Sequence, residues 1–144
     1  MIEEDTIKLL RECDAGIKMG QDAINEVIDR VKSKDLAASL RHCRVEHGML
    51  EKEIQTLLNR CHDEGKEPAL MALGMSWLKT NVKMMADPSD ATIADVMTDG
   101  CNMGVKSLFR YLNQYKAAGE EVKNIAKRLI SMEENLAAAM RPYL

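Results

Sequence analysis

Residues 36–61 read LAASLRHCRVEHGMLEKEIQTLLNRC. Taking every third or fourth position gives Leu36, Leu40, Cys43, His47, Leu50, Ile54, Leu57 and Cys61. That spacing marks one face of a long α-helix turned toward partner helices. Two members of the face are not hydrocarbon. Cys43 and His47 stand one turn apart in the middle of the seam, the depth at which helical bundles build cofactor and metal sites. The stretch therefore predicts an architecture and poses a chemical question together.

Composition supports the helical reading. Of 144 residues, 46% are apolar, 30% charged and only 3% aromatic, while Met occurs 11 times. Ala, Leu, Glu, Lys and Met are abundant helix formers, and the strand-favouring aromatic residues are scarce. Met fills irregular gaps in a helical interior, and its scattered placement here offers no clustered thioether site for copper. The length suits one domain, predicted over 1–144, with one real core. The net charge of −3 and the lack of any basic stripe argue against nucleic acid as a partner. No apolar run of about 18 residues exists to span a membrane. The acidic start Glu3-Glu4-Asp5 has none of the basic, apolar character of a secretory leader, so a cytoplasmic protein is expected. The 4 Cys residues, Cys13, Cys43, Cys61 and Cys101, form no Cys-x-x-Cys pair. In a reducing compartment they read as small core residues, and a Cys43–Cys101 bridge is disfavoured.

The rest of the chain follows the same period. A first helix is predicted from a cap at Asp5 or Thr6, with a seam of Ile7, Leu10, Asp14, Ile17, Gln21, Ile24, Ile28 and Val31. Gly16 and Gly20 sit inside it, each costing about 1 kcal/mol of helix propensity against Ala, and permit close approach of a neighbour. Ser33 caps the second helix, with Asp35 favoured in its first turn, and Gly65 before Pro68 is its expected stop. The short link between Val31 and Leu36 predicts an antiparallel hairpin. Residues 68–78 are apolar nearly all round, which predicts an extra short helix in a long crossover. The segment from Leu70 to Met85 is the expected homodimer surface. Asp87-Pro88 should cap a third helix carrying Ile93, Met97, Cys101, Val105, Leu108, Leu112 and Tyr115, ending at Gly119. A fourth, opened by Glu120 and Glu121, carries Val122, Ile125, Leu129, Met132, Leu136 and Ala139, with Glu133 beside the seam, and ends at Pro142.

Three stretches carry a family likeness: Asp14-Ala15-Gly16-Ile17-Lys18 with Ala23-Ile24; Cys43-Arg44-Val45-Glu46-His47 with Leu50 and Glu53; and Ser76-Trp77-Leu78-Lys79. On these the chain resembles the ferritin-like four-helix bundles, in particular a small, uncharacterised bacterial branch with an extra helix in the crossover. The resemblance implies an all-α bundle with one long crossover between bundle helices two and three. In metal-binding members it implies a dinuclear site, with one Glu from each of two helices and a Glu-x-x-His from each of the others. This sequence departs from that pattern throughout. Helix one offers only Asp14 and Gln21 at mid-seam. Three residues beyond Glu46 stands Met49, with the His displaced to His47. Cys101, Asn102 and Met103 occupy the corresponding depth of helix three, and Leu136 and Ala137 follow Glu133 and Glu134 at three residues. A di-iron oxidase needs a near-complete carboxylate shell, so oxidase chemistry is not expected.

His47 then has three readings. It is a neutral core His bonded to Asp14, Gln21 or a water; a ligand to a single zinc or iron ion with Glu46, Glu133, Asp14 or Cys43; or an acid–base catalyst. No nucleophile motif or phosphate loop supports the last. The leading expectation is a non-catalytic bundle with a structural or interaction role. A single-metal protein comes second. An enzyme with a pocket at the Cys43/His47 layer comes third.

Overall fold

The apolar stripes become helices of full bundle length. The computed structural model describes residues 2–61 and 89–144. Among them are four α-helices: α1 (Ile2–Val27), α2 (Lys34–Arg60), α3 (Asp90–Gln114) and α4 (Glu120–Met140). Short 3₁₀ turns follow α1 and α4 at Ile28–Arg30 and Arg141–Tyr143. No strand occurs among the described residues. No helix among them is long and apolar enough to cross a membrane.

Side-chain hydrogen bonds fix the helix ends and, with them, the chain directions. Ser33 caps α2 as expected, its hydroxyl accepting from the Leu36 N–H at 3.2 Å. The Asp90 carboxylate accepts from the Lys32 and Ser33 N–H groups, both at 2.9 Å. The start of α3 therefore lies against the α1–α2 turn, and α2 and α3 begin at the same end and run parallel. At the other end Asp5 accepts from the Ala117 N–H at 3.0 Å and Thr6 from the Gly119 N–H at 2.8 Å. These two residues, expected to cap α1, instead tie its first turn to the α3–α4 loop, and the helix begins before them. Around the bundle the neighbours are α1–α2, α2–α4, α4–α3 and α3–α1, all antiparallel by these end contacts.

Other boundaries also moved. The third helix is capped by Ser89, whose hydroxyl accepts from the Thr92 N–H at 3.2 Å; the expected cap, Asp87-Pro88, lies outside the described residues. It ends at Gln114, and Gly119 is the N-cap of α4 rather than the end of α3. The second helix ends at Arg60. Gly65, the apolar stretch 68–78 and the expected dimer surface 70–85 fall outside the described residues.

All but Cys61 of the α2 stripe is buried. One apolar cluster gathers Ile24, Leu36, Leu40, Ile93, Met97 and Met140 near the α1–α2 turn. A second gathers Leu10, Ile17, Leu50, Ile54, Leu58 and Leu129 toward the opposite end. Between the two, at the depth of Cys43, His47 and Glu133, the core turns polar.

Candidate functional site

His47 is held from both ring nitrogens. Its ring is only 1% exposed. Nδ1 lies 2.8 Å from the Cys43 carbonyl oxygen one turn back and 3.4 Å from Cys43 Sγ. Nε2 lies 3.0 Å from Glu133 Oε1 on α4. A carbonyl oxygen can only accept, so Nδ1 carries a hydrogen. A second proton then lies between Nε2 and Glu133 Oε1, so the pair as a whole carries no net charge. Burial works against the imidazolium, but its hydrogen bonds to Cys43 and Glu133 outweigh that penalty and hold its pKa up to about 10. The partner of the core His is therefore Glu133, not Asp14 or Gln21, and this pairing favours the charged form of the ring.

Two glycines make room for the pair. A Cβ at Gly20 would stand 2.9 Å from His47 Nε2 and 3.7 Å from Glu133 Oε1. A Cβ at Gly104 would stand 3.6 Å from Glu133 Oε2. Only a residue without a side chain fits at 20, because the imidazole packs against the α1 backbone there. The Cys101 thiol also hydrogen-bonds Glu133, and burial first, then the carboxylate, push its pKa far up, so it stays protonated. The site thus draws on all four helices: Gly20 from α1, Cys43 and His47 from α2, Cys101 and Gly104 from α3, and Glu133 from α4.

The other two candidate ligands lie elsewhere. Asp14 is 2% exposed and accepts from Lys18 Nζ at 2.9 Å and Gln55 Nε2 at 3.1 Å. Glu51 accepts from the same Gln55 amide at 2.8 Å. Burial, then the hydrogen bond to Asp14, raise the Glu51 pKa to about 7, so Glu51 changes protonation near neutrality. Glu46 points away from the seam, 3.3 Å from exposed His42. Of Asp14, Glu46, His47 and Glu133, only His47 and Glu133 meet. Among the described residues no group of three or more His, Cys, Asp and Glu side chains is arranged to hold a metal ion.

Beside the pair lies a cavity of about 270 Å³ between α1 and α3. Its walls are small residues: Ala15, Gly16 and Gly20 on α1 face Gly100 and Gly104 on α3. Met19, Met97 and Met103 flank them, and His47 and Glu133 form the polar end. At another point of the lining Glu12 meets Tyr111. Burial raises the Glu12 carboxyl against the lowering effect of its hydrogen bond to Tyr111, and burial, then the Glu12 charge and that hydrogen bond, push the Tyr111 hydroxyl up. Cys43 is 4% exposed and is not part of the lining. The order Cys43–His47–Glu133 matches a nucleophile, a base and an orienting carboxylate. Yet Nδ1 is committed to the Cys43 carbonyl, and the sulfur has no face on the cavity.

Sequence periodicity reached His47 and Cys43 but set Glu133 beside its helix seam. The buried stripe of α4 runs Val122, Ile125, Ala126, Leu129, Glu133, Leu136, Ala137 and Met140, whereas Met132 is only half-buried. The seam through Met132 and the buried row share the same 3-4 alternation but differ in phase, and stepping from Val122 by four to Ala126, then to Leu129, Glu133, Leu136 and Met140, places the carboxylate inward. The Glu12–Tyr111 and Asp14–Glu51 pairs left no such signal, since each joins two helices far apart in sequence or two carboxyls that electrostatics alone would separate. Comparison of the chain with protein-family models, curated proteins and solved structures gives no match.

Proposed function

We propose that this protein is a ferritin-like bundle without a dinuclear centre, which binds a small apolar molecule in the α1–α3 cavity and performs no catalytic step on it. The observation that carries the reading is the cavity itself: apolar walls of helix-facing glycines around a few convergent polar groups are the usual anatomy of a ligand site. Its size fits a small ligand. An engineered apolar cavity of about 150 Å³ accepts benzene, so the volume here suits a molecule of on the order of ten non-hydrogen atoms. The ferritin-like part of the reading is supported by the parallel course of α2 and α3 within two antiparallel hairpins. The closed His47–Glu133 pair takes the place of metal ligands at mid-bundle. Self-association through the apolar segment 70–85 belongs to the same proposal and rests on its sequence. A monomeric mass in light scattering at micromolar concentration would remove that part.

Toluene is a suitable first probe. Titrated into the protein and followed by amide NMR, it should bind saturably and shift the signals of Gly16 and Gly104 first. Gly104→Leu, which places a side chain in the cavity, should abolish the shifts while leaving a cooperative melt. Absence of saturable binding to the wild type would overturn the reading. Elemental analysis tests the competing single-metal role. Stoichiometric zinc or iron that disappears in His47→Ala would favour a metal site using His47 and Glu133 over the cavity.

A further inference from the structure

The cavity has an end built for a hydrogen-bond donor. Glu133 Oε1 is taken by His47 Nε2 at 3.0 Å. Its other oxygen, Oε2, faces Gly104, whose missing Cβ would stand 3.6 Å away, and both residues line the cavity. The carboxylate is 9% exposed and sits between the glycine of one wall, Gly20, and that of the other, Gly104. A carboxylate oxygen can only accept. The Cys101 thiol, a weak donor, also bonds this carboxylate, whose oxygens have lone pairs for further hydrogen bonds, so a ligand N–H or O–H reaching this end finds an acceptor.

The walls select the rest of the ligand. Gly16 and Gly20 on α1 and Gly100 and Gly104 on α3 bring helix backbone to the lining, beside the apolar side chains of Ile24, Leu108, Leu129 and Leu136. Met19, Met97 and Met103 border the cavity, and thioether sulfur packs well against aromatic ring edges. The imidazolium of His47 already neutralises Glu133, so the end lacks the net negative charge that would favour an ammonium over a neutral donor. Resting on the cavity reading above, we infer that the ligand is a neutral aromatic molecule bearing an N–H or O–H group, bound between α1 and α3 with that donor on Glu133 Oε2.

Indole and indene test this. They share a fused planar shape, and only indole carries a donor. In calorimetric titration of the full chain, indole should bind about tenfold more tightly than indene, the value of one hydrogen bond to a charged acceptor. Gly104→Leu should abolish both. Tryptamine, with the same ring and an added ammonium, should bind no better than indole. In isotope-edited NMR the indole N–H should show a contact to the Glu133 side chain. Equal binding of indole and indene would overturn the donor inference while leaving the cavity reading standing. Tryptamine binding much more tightly than indole would overturn the neutral-ligand inference. Failure of all three probes, and of toluene, would overturn the cavity reading as well.

Discussion

Two polar clusters are buried in this bundle, and they solve the problem of burial differently. In the first, His47, Glu133, Cys101 and the Cys43 carbonyl meet across three helices. Both imidazole nitrogens have an acceptor, and the charges cancel. In the second, Asp14 and Glu51 face each other across α1 and α2 with Lys18 and the Gln55 amide between them. There two carboxyls stand together, and among the described residues Glu51 Oε2 is buried without a hydrogen-bond partner. Burial, then the contact with Asp14, raise the Glu51 pKa to about 7. An imidazole paired with a carboxylate gives a centre whose protonation changes well above neutral pH, whereas two facing carboxyls give one that changes near it.

The sharpest way to break this comparison is to remove one acid from each cluster. Glu133→Ala strands a buried imidazolium and should cost about 3–5 kcal/mol in urea unfolding at pH 7. Glu51→Gln should instead stabilise at pH 8 by about 1 kcal/mol, because a Gln amide can donate to Asp14 where the carboxylate cannot. Equal losses in the two variants would end the distinction.

The pH windows separate the clusters next. The folded pKa of His47 is raised, to about 10. Its contribution is fully present below the unfolded value, about 6.5, and is lost as pH rises through the folded pKa. Stability should therefore fall between those values by up to about 1.4 kcal/mol per pH unit, and Glu133→Gln should flatten that slope in denaturation series. Glu51 is also raised, to about 7, but it is a carboxyl. The folded state holds its proton longer than the unfolded chain does, so stability falls as pH rises from about 4.5 toward 7. Glu51→Gln should flatten that lower window alone. The buried thiol of Cys13, pushed up to about 12 by burial and then by Glu12 and Asp14, adds a fall at alkaline pH common to both variants.

The glycines give a smaller contrast on one helix. Gly20→Ala forces a Cβ against the imidazole and should destabilise by about 1–3 kcal/mol. Gly16→Ala meets only Leu129 at an ordinary 3.6 Å and should stabilise by up to about 1 kcal/mol through helix propensity. Thermal melts of the two variants moving in the same direction would show that the crowding at His47 is relieved elsewhere. The smallest effect belongs to the exposed Glu53–Arg128 pair that links α2 to α4 at 2.9 and 2.7 Å. Arg128→Ala should cost under about 1 kcal/mol and lose even that in high salt.

Much of the fold was legible because a helix repeats its inward face at a fixed period. The α2 stripe, the Ser33 cap and the acidic opening of α4 all appear where periodicity and capping chemistry put them. The helix ends were less legible, because a hydroxyl or carboxylate caps any nearby N–H. Thr6 and Asp5 found their donors in the α3–α4 loop rather than in their own helix. The site was half legible. His47 and Cys43 interrupt an apolar seam and so declare themselves. Asp14 interrupts a seam in the same manner, yet it is answered by Lys18 and Gln55 and never reaches His47.

The sequence by itself determined the helical character of the described residues and the buried face of the second helix, since these depend on residue type and local spacing. Tertiary structure alone decided that Glu133 pairs with His47, that Gly20 and Gly104 flank that carboxylate in the lining of one cavity, and that Glu51 stands against Asp14. Those outcomes depend on the rotation and separation of helices about their axes. A rotation of a fraction of a turn carries a side chain from core to rim, and no pattern within one helix records it.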